Sequence, residues 1–335
     1  VRIALCETGT ITPERDAGSR AVADLLGELT GLGHEVQLFV EAEQDLPARV
    51  AAFAPQVIVI SRPGLFARLH PLLHPLGARM VYLAHDLHFV RMRLQAELQG
   101  STHNSSGVLR LIEEQCFRKA DLSLVATAEE VSIVEAEFPG AAVRAVNYFV
   151  LPEHPLPTGL PASFQAAFVG GPLHEPNFDG IRWFLSQVWP GVAGGQLVIH
   201  GAWEHEAPRF ADVTGVRFTG ALSDAELDES LAAASVGIAP LRFGAGMKRK
   251  TLHYLSLGLP VVGTEFAVEG LADGAGHTPG VTVATTPKEW LAAFTLLSDP
   301  DFWASQSLAG WSFVRERFSA SRYREVLSSA LDELQ

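Results

Sequence analysis

The chain has 335 residues, of which 47% are apolar and 19% charged, and its mean hydropathy is +0.17. A disordered or fibrous protein is excluded, and at about 100–200 residues per domain two domains are predicted. The 25 basic and 38 acidic residues give a net charge of −13, which excludes nonspecific nucleic-acid binding as the main activity.

In chain order, strand-like runs occur at 1–6 (VRIALC), 35–40 (EVQLFV), 56–61 (QVIVIS), 79–84 (RMVYLA) and 121–126 (DLSLVA). They alternate with amphipathic segments, so βαβ units and a parallel sheet are expected. The first crossover helix is predicted over 18–32, with Val22, Leu25, Leu26, Leu29 and Leu32 at helical spacing and Gly33 as C-cap. Residues 65–84 are the most apolar stretch, but Arg68, His70, Pro71, His74, Pro75 and Arg79 interrupt it, so no membrane span is expected. The chain opens at Val1 in a strand-like run without a basic leader; the expectation is no signal peptide and a piece that is trimmed from, or fused to, further domains. Cys6 and Cys116 have no metal-like or C-x-x-C spacing, which suits a reducing, cytoplasmic compartment.

The stretch 151–163 (LPEHPLPTGLPAS) is proline-rich and aperiodic and is read as a linker. Strand signals resume at 165–171, 196–201, 215–220, 235–241, 259–264 and 280–285, and 302–335 looks helical. The predicted organisation is an N-terminal α/β domain over 1–150, the linker, a second doubly wound domain over 164–318, and a C-terminal helix at 319–335 that packs back on the first. Such domains leave a cleft at the carboxyl ends of both strand sets, where ligands of these sheets bind.

The sharpest chemical signal is 235–264 (SVGIAPLRFGAGMKRKTLHYLSLGLPVVGT), a strand, a glycine-rich turn and a helix. Gly244 and Gly246 precede Lys248, Arg249 and Lys250, placed at a helix N-terminus where cations oppose the macrodipole unless an anion is bound. A diphosphate fits, since glycines let backbone N–H groups approach its oxygens; a solvated basic turn is the bland reading. Residues 246, 250, 253 and 257 share a helical face, so Lys250 and His253 are expected in one site. Neither G-x-G-x-x-G after the first strand nor G-x-x-x-x-G-K-[ST] is present, which lowers the weight of dehydrogenases and P-loop NTPases.

These residues resemble the retaining nucleotide-sugar glycosyltransferases with two facing Rossmann-like domains, the GT-B architecture of the group 1 / family 4 type. Residues 240–270 resemble that group's donor-site pattern, a G-x-G-x-K-x-K turn leading to E-A-x-A-x-G-x-P-V-V and a later E-G. Further resemblance lies in 16–20 (DAGSR) with GHEV at 33–36, in 86–93 (DLHFVRMR), and in 168–184 (FVGGPLHEPNFDGIRWF). The group's Glu-x7-Glu pair maps onto Ala245 and His253, so neither carboxylate is present.

The resemblance implies a donor site of Gly18, Ser19, Gly170, Gly171, Arg242, Gly244, Gly246, Met247, Lys248, Lys250, His253 and Glu269. Ser19 is alternatively a simple N-cap, Arg242 a surface ion pair, and Glu269 a solvated loop carboxylate. A histidine after the fourth strand lies beside the sugar in that group; here His85 or His88 supplies it, with Asp86 between them, and the choice stays open. Arg20, Arg91 and Arg93 are placed on the acceptor side, in a first domain whose residues 62–119 hold eight basic and four acidic side chains. That excess of 8 − 4 = +4 suits an anionic acceptor or a membrane surface, unless the arginines pair locally.

The expected function is transfer of a sugar from a nucleoside diphosphate sugar to a carbohydrate or lipid-linked glycan acceptor, in bacterial surface-polysaccharide synthesis. It is expected to proceed without a metal or cofactor, in the cytoplasm or peripherally at the inner membrane face. The alternatives are a catalytically inactive binding module and an epimerase on the same architecture.

Overall fold

In the first domain β1 (Arg2–Glu7) is buried from Ile3 through Glu7, the signature of a parallel strand covered by helices on both faces. The computed structural model describes all residues except 14–16, 43, 101–104, 272–276 and 335. Next come β2 (Glu35–Val40), β3 (Val57–Ser61), β4 (Arg79–Leu83), β5 (Leu122–Val125) and β6 (Val143–Ala145). They form one sheet in the order β2-β1-β3-β4-β5-β6. The second sheet contains β7 (Gln165–Val169), β8 (Gln196–His200), β9 (Val216–Phe218), β10 (Val236–Ala239), β11 (Val261–Gly263) and β12 (Val281–Val283), in the order β12-β11-β10-β7-β8-β9. Every ladder between these strands is parallel.

Both sheets are therefore doubly wound, and each has a switch point at its first strand: between β1 and β3, and between β7 and β10. Ligands of open α/β sheets bind in the crevice outside the strand carboxyl ends at such points. The fold is two Rossmann-like domains, as the sequence periodicity and the resemblance led us to expect. β6 alone was not foreseen; it is a three-residue edge strand with the pattern VRA, too short to show alternation.

The first helix spans Ala17–Gly31, starting one residue before the predicted 18–32. Gly18 and Ser19 consequently lie in its first turn rather than in a loop ahead of it, which removes Ser19 from the N-cap position; Asp16 of the DAGSR run lies outside the described residues.

Residues 151–163 contain no helix or strand. Two helices close the chain, Pro300–Arg317 and Ala320–Asp332. The last one reaches the first domain, where Arg324 pairs with Glu28 and Arg144 lies 2.8 Å from Glu333. One apolar cluster joins Val22, Leu25 and Leu29 of the first helix to Tyr323, Leu327 and Ala330 of the last, and extends to Leu252 and Leu255 in the second domain. Among the described residues no helix is long and apolar enough to cross a membrane.

Candidate functional site

At the first switch point β1 ends on a carboxylate. Glu7 is 3% exposed, and burial of a charge there is tolerable only because donors surround it. Ser61 Oγ donates to Oε2 at 2.6 Å, Arg62 Nε to Oε1 at 3.0 Å, and the Thr8 amide and hydroxyl to Oε1 at 2.7 and 2.9 Å. His85, two residues beyond β4, stands with Nε2 3.8 Å from Oε2. Burial opposes the charge on Glu7, but His85, Ser61, Arg62 and Thr8 outweigh it and hold the carboxyl far below the usual range.

His88 begins the helix His88–Gln99. Its Nδ1 lies 3.4 Å from both Asp86 Oδ1 and Glu113 Oε1, and Glu113, fully buried, accepts the amides of His88 and Phe89 at that helix's open N-terminus. Burial works against a charged His88 ring, yet Glu113 and Asp86 prevail and raise its pKa. Asp86 shows the converse: burial raises it, while His88 and Arg91, the latter at 2.8 Å, bring its carboxyl below the ordinary range. Each candidate histidine thus has its own carboxylate, Glu7 for His85 and the Asp86–Glu113 pair for His88.

At the second switch point the basic turn leads into the helix Arg249–Ser256, with Lys248 as its N-cap residue and no side chain capping it. Lys248 donates to Gly246 O at 2.5 Å and pairs with Glu269 at 2.7 Å. Arg242 closes its fork on Asp179 at 2.8 and 2.5 Å. Lys250 differs from both. Its Nζ donates to the neutral Asn177 Oδ1 at 2.5 Å and lies 4.2 Å from the centre of the Phe168 ring. Desolvation first, and then the neighbouring Lys248, push its ammonium down to about 7. Asn177 in turn donates to Gly171 O at 3.0 Å, so the helix Glu175–Gln187 braces Lys250 against the end of β7.

Gly170 is engaged within its own domain: its amide donates to His200 O, and its carbonyl accepts from Trp203 Nε1. His253 and Lys250 have different partners. The Nε2 of His253 lies 2.6 Å from Asp228 Oδ1, and His154 approaches the other oxygen of Asp228 at 3.6 Å. Spacing put both residues on one side of the helix but could not see that Asn177 would be the partner of one and Asp228 of the other.

Two close approaches bring the domains together. A Cβ on Gly246, whose φ is +73°, would lie 3.1 Å from Asp86 Cβ and 3.2 Å from His85 O. One on Gly270, at φ +77°, would lie 2.3 Å from Thr127 Cγ2 and 3.8 Å from Met247 Cε. The left-handed backbone favours glycine at both positions, and at Gly270 the contact itself leaves no room for a Cβ. Arg20, expected on the acceptor side, reaches across as well and pairs with Asp224 of the second domain at 2.5 Å.

Several residues of this region escaped sequence reasoning: Glu7, Asn177, Asp179, Asp228, His174 and Glu130. His174, pushed down to about 4 by desolvation, Lys250 and Arg91, begins the helix that carries Asn177 and Asp179. Glu130, 1% exposed, accepts the amides of Leu87 and Ala126, and burial with Asp86 and Glu269 nearby pushes it up to about 8. A lone acid ending an apolar run was the available signal for Glu7; Asn177 stood within a recognised segment but was not singled out.

The basic excess over 62–119 is mostly neutralised. Arg62, Arg68, Arg79, Arg91, Arg110 and Arg118 form ion pairs with Glu7, Glu41, Asp121, Asp86, Glu137 and Glu114, while Arg93 forms none among the described residues. Also among the described residues, no three His, Cys, Asp or Glu side chains are grouped to hold a metal ion.

Residues 164–299 match the family described as Glycosyl transferases group 1. Among solved structures, sucrose-phosphate synthase from Thermosynechococcus elongatus superposes with a TM-score of 0.79 at 15% identity over 99% of this chain and 98% of that one. Anabaena HepE in complex with UDP and glucose gives 0.68 at 14% identity over 99% of each chain, and TarM gives 0.65 at 13% identity over 83% of this chain and 54% of that one. Comparison with curated protein sequences gives no match. The two facing domains share the GT-B fold of these solved structures. More particularly, the match to Glycosyl transferases group 1 falls on the second sheet and its helices, from β7 to β12.

Proposed function

We propose that this protein moves a sugar from a nucleoside diphosphate sugar to a carbohydrate acceptor. One observation carries the reading. Of the four cations here, Arg242 and Lys248 hold carboxylates and Arg249 lies over the Phe149 ring, whereas Lys250 donates to the neutral amide oxygen of Asn177 beside the Phe168 ring. A desolvated ammonium without a counter-charge at a helix N-terminus is matched by an anion, and the diphosphate of such a donor supplies one. As the glycosidic bond breaks, negative charge grows on that diphosphate, and preorganised donors stabilise it more in the transition state than in the ground state.

Attack by the acceptor on the face the diphosphate leaves would retain the anomeric configuration and let the diphosphate take the acceptor proton. No protein nucleophile is then needed, and Lys250 performs the neutralisation a metal performs elsewhere. The HepE structure holds UDP, so uridine nucleotides are the donors to try first. The acceptor is a carbohydrate or lipid-linked glycan of bacterial surface synthesis, a reading supported by the resemblance alone. With most arginines of 62–119 internally paired, charge gives little support to an anionic acceptor or a membrane contact.

A second reading, a binding module without catalysis, is favoured by Ala245 and His253. Against it, Asp228 restores a carboxylate beside His253. A panel of nucleotide sugars incubated with glycan acceptors separates the two: acceptor-dependent release of the nucleoside diphosphate, persisting in EDTA, is expected, whereas binding without release of any donor's sugar would establish the module.

A further inference from the structure

We propose that Glu7 is a positioning residue: it fixes His85 with its proton on Nε2, so that Nδ1 is left to accept a hydrogen bond from a hydroxyl of the sugar bound in the cleft. The identity of that ligand rests on the function proposed above; the state of the histidine does not.

Glu7, Ser61 and His85 stand at the carboxyl ends of β1, β3 and β4, neighbours in the sheet at its switch point. Four donor groups from Ser61, Arg62 and Thr8 anchor both oxygens of Glu7, which therefore cannot swing away. The Nε2 of His85 faces Oε2 at 3.8 Å, beyond direct hydrogen-bond length but within reach of the charge. The rest of the ring is held by Tyr148, with centroids 6.2 Å apart and planes at 63°, and the Tyr148 hydroxyl donates to Ala84 O at 2.8 Å, fixing the chain just before His85. The other charged groups of this corner are Arg62, already committed to Glu7, and Asp86, which faces His88 and Arg91. A neutral imidazole has one N–H, and a carboxylate is an acceptor only, so the proton is favoured on the nitrogen that faces Glu7.

The consequence is selective. A nitrogen that only accepts can take a hydroxyl proton but has nothing to offer an ether or carbonyl oxygen. The segment lies where a ligand would meet it, since the backbone of 85–86 contacts the Gly246 turn of the second domain. The competing role for Glu7 is a brace for Arg62, which adopts φ +63° at the end of β3.

Nitrogen-15 NMR of the imidazoles in the whole protein, at a pH where His85 is neutral, decides the matter without any activity. The Nε2–H tautomer is expected in the wild type, and Glu7→Gln, which keeps the size and removes the charge, is expected to populate the Nδ1–H form. Finding Nδ1–H in the wild type overturns the proposal, and that measurement stands even if the variant fails to fold. In turnover, Glu7→Gln is expected to lower the rate about tenfold, to leave nucleoside diphosphate affinity unchanged, and to have no added effect in a His85→Ala background. Equal losses in both backgrounds would make Glu7 a brace only. If no nucleotide sugar is turned over, the function proposed above fails while the tautomer still tests Glu7.

Discussion

In the proposed function Lys250 is the side chain that meets the diphosphate, and its state would make that binding proton-linked. Its ammonium, pushed down to about 7 by desolvation and Lys248, is partly deprotonated in the free protein near neutrality. A bound diphosphate favours the charged form and raises that value, so binding takes up a proton. By linkage, the contribution of Lys250 to affinity is full below about pH 7 and declines as pH rises through it. Calorimetry at pH 7.5 in buffers of differing ionisation enthalpy is expected to report proton uptake in the wild type and none from this position in Lys250→Met. Arg242 is expected to behave differently, because its fork is filled by Asp179. Asp179→Asn should lower stability by about 1–3 kcal/mol in denaturant titration; an unchanged midpoint would show that the pair is not formed.

At the scale of elements, the meeting of the Gly270 loop with the helix Ala128–Glu137 has a specific geometry. Thr127 caps that helix, its Oγ1 accepting the Glu130 amide at 3.1 Å, while its methyl occupies the space a Cβ on Gly270 would need. Gly270→Ala is therefore expected to hold the loop off the first domain, at a cost of about 1–2 kcal/mol for the left-handed backbone plus the clash, and to weaken donor binding. Thr127→Ser keeps the cap and removes the methyl, so it should partly restore binding in the Gly270→Ala background. Failure of that rescue would mean that the backbone angle alone is responsible.

How much of this was legible before the structure follows from what each signal measures. Strand runs such as VIVIS and LVIH are local patterns, and they form β3 and β8 where periodicity put them. Helix-face spacing is local too, but the partners that orient Lys250 and His253 lie at Asn177 and Asp228, 73 and 25 residues away. The charge count over 62–119 has the same limit: Glu7, Glu41, Asp121 and Glu137, partners of four of its arginines, all lie outside the segment counted. A buried carboxylate such as Glu7 has no periodic signature at all; only the fold collects its donors.

For the molecule as a whole, the closing helix ties the end of the chain to its beginning. Leu327, 1% exposed, packs in the cluster that contains Val22 and Leu25, and Arg324 pairs with Glu28. Leu327→Ala is expected to destabilise the protein by about 2–5 kcal/mol, seen as an earlier unfolding of the first domain; a loss below 1 kcal/mol would indicate that the helix is only loosely docked. With the two domains held in this way, the Gly246 turn meets the His85–Asp86 segment, and the proposed function requires a nucleoside diphosphate to bind between them through Lys250. The most direct measurement is a calorimetric titration of a nucleoside diphosphate, UDP first, into the wild type and Lys250→Ala. Saturable binding is expected in the wild type, weakened in the variant by about 1.5–3 kcal/mol, or roughly 10- to 100-fold; equal affinity in the two, with both folded, would contradict it.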